Sequence, residues 1–121
     1  MSSFRLLAYL SALTPLPAVA QEYQPITDQA AFLSLVDGRE LRLGMFGIAL
    51  RIAADGTIDG AAVGFGVTGT WDWQDGYFCR ELDWSGTPIP FNCQLVEARG
   101  QTEIRFTVDQ GAGDSATFVV R

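Results

Sequence analysis

Two Asp-Gly pairs, at 55–56 and 75–76, and an Arg99-Gly100 step cut the chain after residue 47 into short segments that carry strand-forming side chains. An Asp-Gly pair tolerates the positive φ that a two-residue hairpin loop requires, so each is a point where a strand can reverse onto its neighbour. The turns separate "IALRIAA" from "TIDGAAVGF", "TWDWQ" from "YFCREL", and "FNCQLVEA" from "QTEIRFTV". Ser85-Gly86 with Pro88 and Pro90 reads as a longer connection, and "DQGAGD" (109–114) turns the chain into the last strand, "SATFVVR". In "EIRFTV", Ile104, Phe106 and Val108 alternate with Glu103, Arg105 and Thr107, the pattern of a strand with one buried and one wet face. The expected architecture is mostly β. It is an antiparallel meander of roughly seven or eight strands, closed as a small sandwich or a lipocalin-like barrel, with one short N-terminal helix.

That helix is expected over "DQAAFLSLV" (28–36), capped by Thr27 and ended at Gly38, with Asp28 in its first turn. Phe32, Leu35 and Val36 fall at i, i+3 and i+4, a stripe that would lie against the sheet or plug one end of a barrel. Residues 21–26 read as a mobile lead-in. Ahead of them, Arg5, the apolar run 6–16 and the small residues of Pro17-Ala18-Val19-Ala20 read as a secretory signal over residues 1–20, leaving a single domain over 21–121. The apolar run is about half of what a bilayer span needs, so no membrane span is expected.

Charge and cysteine usage narrow the partners. The whole chain carries −6, and without Arg5 seven arginines face fourteen acids, with no Lys and no His. An acidic chain of this kind is repelled by phosphate backbones, which argues against nucleic acid. Cys79 and Cys93, an even count without C-x-x-C spacing, suit a structural disulfide in a periplasmic or secreted protein.

Gly64-x-Gly66-x-x-Gly69 has the spacing of a dinucleotide fingerprint. That motif needs a helix after its third glycine. Here Thr70-Trp71-Asp72-Trp73 follows, an alternating aromatic strand, so the glycines are expected where strands bend and no cofactor is expected. Without His or Lys there is no Ser-His or Cys-His pair, no His-ligated metal and no Schiff base. Asp72 with Asp75, or Glu81 with Asp83, are ordinary spacings for solvated hairpin edges, and neither "DGTID" nor "DQGAGD" carries an EF-hand ligand run. No catalytic or metal-binding residue is assigned.

The densest signal is "GTWDWQDGYFCREL" (69–82). Trp71 and Trp73 share one strand face, as a core or as a ligand-facing platform together with Tyr77 and Arg80. A two-residue loop at Asp75-Gly76 sets Trp73 opposite Phe78 and Trp71 opposite Arg80, within stacking reach; a three-residue loop sets them opposite Tyr77 and Cys79. The set Gly69-Thr70-Trp71-x-Trp73, Gly76-Tyr77-Phe78-Cys79-Arg80 and Cys93-Gln94 resembles a group of small secreted bacterial proteins of unknown function, some automatically named dihydrodipicolinate reductase. The likeness covers residues 38–121 and implies a short exported β protein. True reductases of that name are much larger, with an active site rich in His and Lys. A second likeness is to small periplasmic β-barrel proteinase inhibitors, which combine an N-terminal helix, a Gly-x-Trp strand and one disulfide. The functional expectation is a binding or inhibitory module for a protein or small ligand, ahead of a structural envelope protein and an enzyme. A Ser85–Pro90 loop would serve an inhibitor.

Overall fold

The computed structural model describes residues 21–121; the expected signal segment, 1–20, lies outside the described residues. Nine strands and one helix follow one another as β1 (Gln24–Ile26), α1 (Gln29–Val36), β2 (Leu41–Leu43), β3 (Ile48–Ile52), β4 (Thr57–Ala62), β5 (Phe65–Gln74), β6 (Tyr77–Trp84), β7 (Thr87–Arg99), β8 (Glu103–Thr107) and β9 (Ser115–Val120). The strand order is β7-β6-β5-β4-β3-β2-β9-β8, and β8 pairs back with β7. Eight antiparallel strands therefore close into a barrel, and the sandwich alternative falls away. β1 is the extra strand. It pairs with Val96, Glu97 and Ala98 at the end of β7 that β6 has left, so residues 24–26 are sheet rather than a mobile lead-in.

Local chemistry explains the reversals. Val63-Gly64, Asp75-Gly76 and Ser85-Gly86 each place two consecutive residues at positive φ, giving three two-residue hairpins in a row. Ser85-Gly86 is thus a tight turn and not a longer connection; Pro88 and Pro90 lie within β7. Gly64 is the second residue of a turn, while Gly66 and Gly69 sit on β5, which runs on to Gln74 with no helix after it. A Cβ on Gly69 would stand 2.3 Å from the Glu81 carbonyl oxygen, so the β5–β6 approach at this point admits only glycine.

Asp28, not Thr27, caps α1: its carboxylate accepts from the Ala31 amide at 2.8 Å, one residue later than the sequence expectation. The helix buries Phe32, Leu35 and Val36 and closes one barrel end. Phe32 is fully buried, its ring centroid 5.1 Å from Trp73, 5.1 Å from Phe78 and 5.5 Å from Trp71. Two indole N–H groups tie this end shut: Trp71 donates to the Ala53 carbonyl at 2.8 Å and Trp73 to the Thr27 carbonyl at 3.3 Å. Cys79 and Cys93 form the disulfide, directly paired across β6 and β7. Among the described residues no helix is long and apolar enough to cross a membrane.

Candidate functional site

Eight strands leave an interior that either fills with side chains or holds one small ligand. This barrel is filled at one end and hollow at the other. At the α1 end the inward positions carry aromatic rings packed on Phe32; towards the other end they carry Ile48, Leu50, Ala62, Val67, Leu82 and Ile89, which do not meet across the axis. The result is a cavity of about 510 Å³, walled almost wholly by apolar side chains, with Phe78 and Phe106 on its helix-side wall and Phe46 and Val63 at its mouth. That size lies in the ~300–1,000 Å³ range of small-molecule sites. Around the mouth, large apolar side chains stand in solvent: Met45 is 87% exposed, Val63 62%, Phe65 58% and Phe46 57%. Met45 and Phe46 are set there by a 3-10 turn, Gly44–Phe46, between β2 and β3.

Three side chains interrupt the aliphatic lining of this wall. Trp84, beside the β6–β7 turn, donates its indole N–H to the Ala62 carbonyl at 3.0 Å and meets Phe65 edge-on, ring centroids 6.2 Å apart. Arg80 points into the barrel from the middle of β6. The β6–β7 ladder slips between Arg80 and Leu82, so that Glu81 faces both Pro90 and Phe91; the Pro90 carbonyl released by this bulge accepts from Arg80 Nη1 at 2.7 Å. That is the only hydrogen bond of the guanidinium among the described residues, and no carboxylate there comes within 4.0 Å of it. Burial alone pulls its pKa below the ordinary arginine value, and it stays charged. Gln94 is 6% exposed, lines the cavity diagonally across the ladder from Arg80, and its amide makes no side-chain hydrogen bond among the described residues. Asn92, directly opposite Arg80, is already used: its amide pairs with Asp109 through Nδ2 at 2.8 Å and Oδ1 at 2.9 Å.

The residues that the sequence pointed to as a binding surface separate in the fold. The two-residue loop option holds, with Trp73 opposite Phe78 and Trp71 opposite Arg80. Trp71 is buried and Trp73 half-buried, both against α1, and neither lines the cavity. Tyr77 is half-buried at the first position of β6 and also lies off the cavity wall. Arg80 does line it, and among the described residues the cation–π contacts are not on Trp71 but between Tyr23 and both Arg99 and Arg105, at 4.4 and 3.9 Å from the ring centroid. Trp84 and Gln94 do not stand out in the sequence as site residues; the signal for Trp84 is the inward parity it shares with Phe78 and Leu82 once the two-residue turns are placed, whereas Gln94 comes to the inner face, opposite Phe78, only through the bulge in the β6–β7 ladder. No group of three or more His, Cys, Asp or Glu side chains is gathered to hold a metal among the described residues. The tight Ser85-Gly86 turn leaves no projecting 85–90 loop of the kind an inhibitor would present. No protein-family model matches the chain, and no curated protein or solved structure matches it either.

Proposed function

We propose that this chain is an exported binding module that carries one small apolar molecule inside its barrel. The observation that supports this reading is the 510 Å³ cavity whose apolar walls continue into exposed apolar side chains at its mouth. An empty apolar space of this size forfeits dispersion contacts along its whole lining, which a ligand would restore. Burying about twelve methylene groups contributes roughly 10 kcal/mol at ~0.8 kcal/mol each. Association costs at least ~4 kcal/mol, leaving affinities of about tens of micromolar at best. Export is supported by the Ala18-x-Ala20 pattern and by a disulfide, a bond favoured in oxidising compartments and rare in reducing ones.

Titration with N-phenyl-1-naphthylamine, an uncharged fluorescent amphiphile, tests the reading. Saturable one-to-one binding is expected, with loss of at least tenfold in affinity when Ala116→Phe places a ring in the cavity. Absence of saturable binding, or an unchanged affinity in a folded Ala116→Phe protein, would overturn it.

A further inference from the structure

We infer that the cavity selects a single-chain amphiphile with a monoanionic carboxylate head, bound head-inward at Arg80 and Gln94 with its tail towards the Phe46–Val63–Phe65 rim. This inference rests on the binding reading above and adds the chemistry of the ligand. A guanidinium withdrawn from water is normally matched by a carboxylate. Among the described residues Arg80 has only the Pro90 carbonyl, on one of its nitrogens, which leaves its other N–H groups without a protein partner on a side chain that lines the apolar space. Asp114, which also lines the cavity, does not come within ion-pair distance, and Asn92 is held by Asp109. Gln94 adds a second unpartnered donor on the same wall, reachable diagonally across the ladder. One cation and one amide suit one negative charge; a dianionic head would leave a charge uncompensated in an apolar enclosure within an acidic protein.

Polarity along the barrel sets the orientation. From Arg80 to Trp84 the inward positions of β6 are Leu82 and Trp84, a path of about 13 Å along the strand with no further charge from β6. It ends where Phe46, Val63 and Phe65 are exposed, so a tail running outward along β6 stays on apolar surface.

Displacement of N-phenyl-1-naphthylamine by dodecanoic acid, dodecanol and dodecyl phosphate at pH 7.5 tests this, on the wild type, Arg80→Met and Arg80→Lys. The wild type is expected to bind the acid at least tenfold more tightly than the alcohol and more tightly than the phosphate. Arg80→Met should erase the acid's advantage over the alcohol, with a cooperative thermal transition reporting that the variant is folded; Arg80→Lys should restore part of that advantage. Equal affinity for acid and alcohol in the wild type overturns the inference without any variant, as does a tighter phosphate, a failure of all three amphiphiles to displace a bound probe, or an acid preference that survives Arg80→Met. If the probe itself does not bind, the binding reading fails and the head-group assignment falls with it; in every other failing outcome the cavity reading stands.

Discussion

The two ends of this barrel are built from the same strands and filled in opposite ways. At the α1 end, Phe32 enters the barrel and meets Trp71, Trp73, Phe78 and Phe106, and indole N–H bonds to Ala53 and Thr27 close the seams. At the other end short hairpins replace a plug, the inward side chains are aliphatic, and a cavity remains beneath a rim of exposed Met45, Phe46, Val63 and Phe65. The difference teaches that a small barrel can concentrate its packing in one half and thereby leave the other half hollow.

The largest expected effect breaks this asymmetry directly. Phe32→Ala removes a fully buried ring and should cost about 3–5 kcal/mol, enough to unfold much of a domain this size, whereas Ile89→Ala on the half-buried cavity wall should cost under ~2 kcal/mol because that side chain already lacks partners on one side. Chemical denaturation of both variants checks it; equal losses would mean that the two ends are packed alike.

The disulfide comes next. It joins β6 to β7 between the two ends, the cysteines 14 positions apart in sequence, and its removal in Cys79→Ser/Cys93→Ser should cost about 3 kcal/mol in the chain-entropy account. Because Cys79 and Cys93 adjoin the Arg80–Asn92 pair and the bulge that frees the Pro90 carbonyl, the cavity wall is expected to loosen with it. Amide exchange before and after reduction should accelerate along Arg80–Leu82 more than along α1; the reverse would place the staple's influence at the plug.

The smallest effect lies on the outer face of β8. Tyr23 donates to Glu103 Oε2 at 2.7 Å and Arg99 Nη2 reaches the same oxygen at 2.7 Å; these hydrogen bonds, Tyr23 first, hold the Glu103 carboxyl below its ordinary value of 4.5. A depressed folded-state pKa stabilises the fold fully above the unfolded value, and that contribution is lost as pH falls through the folded value. The thermal midpoint should therefore drop slightly more between pH 5 and pH 3 in the wild type than in Glu103→Gln. The group is solvent-screened and the difference small. A larger acid sensitivity in the variant would reverse the assignment.

How much of the fold is legible in the residues alone depends on how local each cause is. Asp55-Gly56 and Asp75-Gly76 announce their hairpins because their own φ preferences make the turn. Val63-Gly64 does not, since a β-branched residue at positive φ (52°) is disfavoured and is held there by the strands on either side. Pro88 and Pro90 argue against a strand through residues 88–90. β7 accommodates Pro88 opposite Asp83, at the end of its pairing with β6, and Pro90 at the bulge, where its carbonyl serves Arg80 instead of the ladder. β1 is three residues with a proline and has no alternation to read. Barrel closure rests on β7–β8 and β2–β9, and the second of these joins the two ends of the domain with no local signature. The aromatic cluster at 71–78 is visible as composition, but which end it occupies, and hence that Trp84 and Gln94 rather than Trp71 and Trp73 border the empty space, follows only from closure.

Methyl chemical-shift mapping on addition of dodecanol tests the division of the barrel most directly. Shifts confined to Ile48, Leu50, Leu82, Ile89 and Val108, with Leu35 and Val36 unmoved, are the predicted result; shifts centred on Leu35 and Val36, or spread over the outer face at Val119, would contradict it.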